Sequence, residues 1–493
     1  MPVVGIDLGT QSCKAVVCDP ALAVLGDHQV GYPTEHPRPG WAEQDPARWE
    51  AALGEAIAGA LAAAGLGADD VTALALAGQL DGCVAVDAAG APVARALIWQ
   101  DRRARADAAQ VDRARLHAIT GQVADPSHMA PKIRWLHGAG VRAARFHQPA
   151  SYLVERLTGA AVIDPSHAST TMLCELATAT WSRELCAAFA IDPGWLPRIE
   201  PTCAIAGGLH ARGAALCGLR AGTPVAVGTG DDFATPLGAG IAAPGVLAVA
   251  LGTAEVVGAL SARPVLDTPA ARTGAADAWL AQAEPMVETH AFPTGAWFVE
   301  NPGWLSGGAV RWATRLLGLG ADAELDALAA AAPPGADGVT FVPALAGAMT
   351  PVWRPALRGA LLGLAAGHDR PHVARAVLEG LAFASRDVAQ RLAALGVAAR
   401  DAVVLGGGAR SRTWMQLRAD ALGMPHHAAA RADSCAVGAA MIAAVAVGQL
   451  RDLAAAAALA PGHAATFVPC GTLDEAYARY RGHVANLLSY EPA

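Results

Sequence analysis

The sequence predicts an α/β protein built as two large domains. Three observations predict it. The chain has 493 residues, too many for one ordinary hydrophobic core. Strand-like and helix-like segments alternate along it, the mark of the α/β class. A strand, a Gly-Thr turn and a second strand also occur twice, about one domain length apart.

The first copy runs from Val3 to Asp19, with Gly9-Thr10 at the turn. An apolar strand on each side of a tight turn reads as a hairpin. The second copy is Val246 to Leu260, with Gly252-Thr253 at the turn. Gly-Thr alone is a common turn pair. Two copies in a two-domain chain suggest a duplicated architecture with a cleft between the halves. The Gly- and Pro-containing stretch Gly240 to Gly245 precedes the second copy. It places the boundary so that residues 1–243 and 244–493 form the two domains. One helix is expected from Pro46, because Asp45 can cap it and Trp49, Leu53 and Ile57 share a face. Another is expected from near Pro371, with Val373, Val377 and Leu381 on one stripe.

Composition narrows the function classes. Apolar residues make up 53% and charged residues 16%, which suits packed cores and not global disorder. A net charge of −8 argues against a general nucleic-acid binder. It leaves room for a nucleotide, since a phosphate site needs only a few local donors. Nine cysteines are scattered from Cys13 to Cys470 with no C-x-x-C pair, so reduced thiols are expected. The N-terminus lacks the pattern of a signal peptide. The longest apolar run, Cys435 to Gly448, is too short to span a bilayer and reads as a buried helix. The expectation is a cytoplasmic protein with no membrane partner. His368 and His372, and His426 and His427, lack nearby ligands at metal spacing.

Four groups of residues are candidates for chemistry. Asp7 ends an apolar strand beside the first Gly-Thr turn, where a charge is costly unless it is paired or binds a cation. It either holds a magnesium ion, with the turn amides and Thr10 meeting phosphate and Lys14 adding charge, or accepts bonds from its own turn. Asp231, in Gly228-Thr229-Gly230-Asp231-Asp232, follows a strand at the edge where ligands gather in open α/β sheets. It is either the base for an attacking hydroxyl or part of a surface turn. Gly406-Gly407-Gly408-Ala409 ends the strand Val403 to Leu405. Bare glycines there either admit a phosphate or a flat base, or make a tight βα turn. Gln79 and Asp81, and separately Asp101, place polar groups after apolar strands. They suit the directed hydrogen bonds of a sugar, or are ordinary loop polarity.

Together these segments resemble the FGGY family of carbohydrate kinases over nearly the whole chain, and within it the xylulokinases. Asp7-Leu8-Gly9-Thr10 is similar to the family's first phosphate loop, which Ser12 and Lys14 continue. Trp41-Ala42-Glu43-Gln44-Asp45-Pro46 resembles a W-x-E-Q-D-P segment, and Ala130-Pro131-Lys132 a third landmark. Gly359 to Leu364, followed by His372 to Gly380, resembles the family signature, and Gly406 to Ser411 its adenosine-binding loop.

The resemblance implies two ribonuclease-H-like domains, as in actin-like ATPases, with ATP and sugar meeting between them. It implies ATP and Mg2+ as cofactors, Asp231 as catalytic base, and Gly252-Thr253 as second phosphate loop. It places a sugar on Leu80 and Asp81, beside the polar strand ends Gln79 and Asp101 and with its reacting hydroxyl on Asp231, and suggests a homodimer. D-xylulose, converted to D-xylulose 5-phosphate, is the expected substrate. Another ketopentose, a polyol or a sugar acid is the alternative. Many bacterial xylulokinases carry Met-His where this chain has Leu80-Asp81, so the hydroxyl pattern being read differs. An actin-like ATPase without a sugar acceptor is the rival from another class.

Overall fold

The computed structural model describes residues 1–272, 284–431 and 433–489. The chain divides into two compact units. The first comprises Met1–Ala242, Thr289–Trp297 and Asp433–Pro461. The second comprises Ala243–Glu288, Phe298–Ala432 and Gly462–Ala493.

The first unit is built on a sheet whose strands follow the order Ile205–Gly208, Pro224–Ala226, Ala73–Gly78, Val3–Leu8, Ser12–Cys18 and Val24–Gly31. Val3–Leu8 and Ser12–Cys18 form the predicted hairpin, with Asp7 opposite Lys14. Val3–Leu8 also runs parallel to Ala73–Gly78, with Leu8 level with Gly78. The short strand Thr229–Gly230 lies parallel to Ala73–Gly78 on its other side, with Gly230 level with Gly78. This register decides the location of the site. The carboxyl ends of three parallel strands finish at one edge, and the residues that follow are Gly9-Thr10, Gln79-Leu80-Asp81 and Asp231-Asp232.

The helix predicted at Pro46 spans Pro46–Ala64, and the Asp45 side chain caps it by accepting from the Ala47 amide. Its apolar face, with Trp49, Leu53 and Ile57 fully buried, packs into the core under the sheet. The run at Cys435 folds as the buried helix Ser434–Ala446. It is apolar on all sides, and small residues let it approach backbone closely. A Cβ on Gly5 would stand 1.9 Å from the Ala436 carbonyl, and one on Gly238 1.9 Å from the Ser434 carbonyl. Strand Val3–Leu8 and helix Asp231–Gly238 therefore both seat on this helix, which lies some two hundred residues later in the chain than Asp231. For that reason the division is not a single cut near residue 243.

The second unit repeats the plan. Val246–Leu251 pairs antiparallel with Ala254–Ser261 and parallel with Asp401–Leu405, with Ala250 level with Leu405. The turns Gly252-Thr253 and Gly406-Gly407-Gly408 thus leave the same sheet edge. The predicted helix near Pro371 spans Arg370–Ala394 and buries a long face against this unit's core. No helix among the described residues is long and apolar enough to cross a membrane. All nine cysteines are reduced, seven of them buried, with Cys203 half-buried and Cys470 exposed.

Candidate active site

In the first unit, four carboxylates gather at the strand ends. Asp7 and Asp231 are enclosed by protein yet remain reachable from solvent. Burial, opposed by a hydrogen bond from the Cys435 thiol and by the Lys14 charge, pushes the Asp7 carboxyl up to about 6. Asp231 opens the helix Asp231–Gly238, and its Oδ1 accepts from the Asp232 amide at 3.1 Å. Burial first, then the charges of Asp232 and Asp7, raises its carboxyl well above the ordinary carboxylate range. Asp232 is pushed up to about 6 by burial and then by Asp81, while His290 pulls it down. Like charges held this close make each carboxylate a better proton acceptor, or a better ligand for a cation, than it would be in water.

The first turn is tied down from several sides. The Tyr32 hydroxyl donates to the Gly9 and Ser12 carbonyls. Gln44 donates to the Thr10 carbonyl at 2.6 Å, and buried Trp49 donates to Gln44 at 3.0 Å. Gln79 is buried and donates to Gln44 at 3.0 Å. Its amide nitrogen thus serves the turn, while its carbonyl oxygen is buried with no hydrogen-bond partner among the described residues. Trp99, 36% exposed, donates through its indole N–H to the Thr10 hydroxyl at 2.9 Å. Ser12 accepts from Gln29 at 2.7 Å. The Lys14 ammonium lies 3.1 Å from Asp27 on the neighbouring strand, while its charge also acts on Asp7.

Leu80 rests against Gly230, where a Cβ would stand 2.2 Å from its side chain. Asp81 takes a left-handed backbone setting, φ 62°, which Asp tolerates better than most residues. Its amide donates to Gln148 at 2.9 Å, and its carboxylate lies 3.1 Å from Nδ1 of buried His128. Asp101 differs from expectation. It is 0% exposed, and its oxygens accept from the Ala42 amide and from Arg103, whose guanidinium stacks 3.6 Å from the Trp41 ring centre. Asp101 braces the Trp41 segment and offers little of its carboxylate to a sugar.

Lys132 closes this side. Fully buried, its ammonium donates to the carbonyls of Asp81 at 2.7 Å, Ile98 at 2.8 Å and Ser127. It clasps three loop ends at once. Burial, opposed by Asp81, Cys83 and Asp101, pushes the ammonium from 10.5 down to about 8. The unfolded chain holds this proton to higher pH than the folded chain does. Stability therefore rises with pH between about 8 and 10.5 through this group. Lys132→Met is expected to flatten that rise, measured as denaturant midpoints across the window. An unchanged slope would show that another group carries it.

In the second unit, Gly406 has φ 88°, and a Cβ there would stand 2.8 Å from the Leu251 carbonyl. Gly407–Arg410 makes one 3-10 turn, and Ser411 caps the helix Arg412–Leu422 by accepting from the Trp414 amide. Ala409 is held by its amide on the Gly406 carbonyl. Arg311, on helix Gly307–Leu316, donates to the Thr253 hydroxyl at 2.9 Å. Glu255, two residues beyond the turn, is completely buried in an ion pair with Arg418. Sequence reasoning passed over Asp232, His128, Arg311 and Glu255. Glu255 carried the same signal that marks Asp7, a charge inside an apolar strand beside a Gly-Thr turn.

The chain matches the N-terminal domain model of the FGGY family of carbohydrate kinases over residues 2–238 and the C-terminal domain model over residues 247–447. The chain belongs to the FGGY family of carbohydrate kinases. A glycerol kinase from Bordetella parapertussis is 35% identical, covering 90% of this chain and 89% of that protein. A glycerol kinase from Alkalilimnicola ehrlichii is 33% identical, covering 90% of each. Among solved structures, a xyloylose kinase from Brucella ovis superposes with a TM-score of 0.90 at 30% identity, covering all of both chains. A xylulose kinase from Rhodospirillum rubrum gives 0.89 at 29% identity, covering 99% of each. The expected two-domain, ribonuclease-H-like fold of FGGY kinases is thus present. Glycerol kinases and xylulose kinases match at similar identity, so what they share is the reaction class and not the acceptor.

Proposed function

We propose that this FGGY kinase transfers the γ-phosphoryl group of ATP to a neutral, polyhydroxylated acceptor, with D-xylulose, giving D-xylulose 5-phosphate, as the first reading. The observation that carries it is Asp231, a carboxylate made more basic by burial and by Asp232 and Asp7, at the strand edge beside the Gly9-Thr10 turn. In this reading Asp231 accepts the proton of the attacking hydroxyl, the 5-hydroxyl of a ketopentose. Leu80 and Asp81, with Asp232, face the rest of the sugar. Gly9 and Thr10 meet phosphate oxygens. Gly252, Thr253 and Gly406 to Ala409 hold the nucleotide, with Arg311 adding positive charge at Thr253.

The Asp7 environment fits Mg2+. Among the described residues no cage of three or more His, Cys, Asp or Glu side chains exists. Mg2+ in kinases is usually held by one or two carboxylates together with substrate phosphates, and Asp7 supplies such a carboxylate. When bound, the ion would neutralise phosphate charge. Reduced cysteines and an ATP substrate suit a cytoplasmic enzyme.

Neutral acceptors are favoured over sugar acids. Asp7, Asp81, Asp231 and Asp232 repel an anionic substrate, whereas a polyol donates hydroxyl protons to carboxylates. Glycerol is the second reading, because the glycerol kinases reach 35% identity over most of both chains.

ADP release with ATP and magnesium, across D-xylulose, other ketopentoses, glycerol, longer polyols and sugar acids, tests the proposal. Strong stimulation by D-xylulose or glycerol would decide between the two readings. Stimulation by a sugar acid alone would overturn the neutral-acceptor reading. Equal release with and without every acceptor would favour an ATPase of the actin-like class.

A further inference from the structure

We infer that Glu255 is a positioning residue for nucleotide binding, acting on the Gly252-Thr253 turn through Ser306. The inference rests on the reading above, that this turn holds the nucleotide.

Glu255 lies on Ala254–Ser261, the strand that leaves the turn, and is 0% exposed. Its carboxylate accepts four hydrogen bonds from three donor residues. Arg418 reaches both oxygens. The Ser306 hydroxyl donates to Oε2 at 2.7 Å and the Ser385 hydroxyl to Oε1 at 2.5 Å. Each donor comes from a different helix or helix start. Ser306 precedes Gly307–Leu316, Ser385 belongs to Arg370–Ala394, and Arg418 belongs to Arg412–Leu422, the helix launched by the Gly406 turn.

Only one of the two serines is also bonded to the turn. The Ser306 and Gly308 amides donate to the Thr253 carbonyl at 3.1 and 3.0 Å, and the Gly307 amide donates to the Gly252 carbonyl at 3.2 Å. The fit is tight, since a Cβ on Gly307 would stand 2.3 Å from the Gly252 carbonyl. Ser306 therefore has its side chain on a buried charge and its backbone on the turn. The helix that begins there also carries Arg311 onto the Thr253 hydroxyl. Through Ser306 and Arg418, one buried carboxylate braces elements beside both glycine turns of this unit. Ser385 completes the same carboxylate, and its hydroxyl bonds to Glu255, Leu381 and Arg418 and not to either turn.

This asymmetry provides the test. Ser306→Ala and Ser385→Ala each remove one hydroxyl from the same carboxylate. Calorimetric ADP binding, KM for ATP, KM for the sugar and melting temperature are measured for both. A positioning role predicts that Ser306→Ala weakens ADP binding and raises KM for ATP about tenfold, the size of one lost hydrogen bond to a charged group. The KM for sugar should stay within about twofold. Ser385→Ala should lower the melting temperature comparably and leave KM for ATP within about twofold. Equal effects of the two variants on KM for ATP, or none from either, would overturn the inference while the wild type still binds ADP. A wild type that binds no ADP would overturn the nucleotide reading itself, and this inference with it.

Discussion

Asp231→Asn is expected to lower kcat by about 10²–10⁴, the usual contribution of a general base. Asn preserves the shape of the side chain and can still accept the Asp232 amide through its carbonyl oxygen. It cannot take a proton. The fold should not suffer. The ionised Asp231 is disfavoured by burial and by the charges of Asp232 and Asp7, so a neutral side chain relieves repulsion instead of removing a stabilising pair. The melting temperature is therefore expected to stay level or rise while turnover collapses. Steady-state rates with a saturating acceptor, together with thermal unfolding of the same preparation, check both halves. A variant with turnover within about twofold of wild type would remove Asp231 from the role of base. A variant that loses turnover by unfolding would show that the carboxylate is structural.

Arg418→Met is expected to destabilise the protein by about 3–5 kcal/mol, because it leaves a buried carboxylate without its counter-charge. Arg418 and Glu255 are both 0% exposed, so water cannot take over the role of the lost guanidinium. The double variant Glu255→Gln with Arg418→Met should be more stable than the single one, since removing both charges removes the stranded one. Denaturant unfolding of the two variants and the wild type measures the difference. If the double variant is as unstable as the single one, the loss comes from packing of the arginine side chain and not from its charge.

Local features of this protein are legible in its sequence because neighbouring residues set them. Asp45 and Pro46 start a helix wherever the following residues have an apolar face, and the structure shows the cap formed. The hairpins around Gly9-Thr10 and Gly252-Thr253 follow from apolar strands joined by a short turn. Asp231 after Thr229-Gly230 is legible as a strand-end carboxylate for the same reason. The family signature extends these local readings to the fold and the reaction class.

What each charge meets is a different matter. Asp101 and Asp81 look alike in sequence, each a polar residue after an apolar strand. Asp101 is saturated by Arg103 and the Ala42 amide, whereas Asp81 lies beside His128 with Lys132 on its carbonyl. Lys14 sits next to the Gly9-Thr10 turn in sequence, and its ammonium pairs with Asp27 while its charge also reaches Asp7. Helix Ser434–Ala446 belongs to the first unit although it lies far along the second half of the chain. The sequence by itself determined the turns, the caps, the apolar faces and the family. Only the tertiary structure decided which carboxylates stay open and which are neutralised, because the partner of a buried charge is set by long-range packing and strand register, which no local spacing encodes.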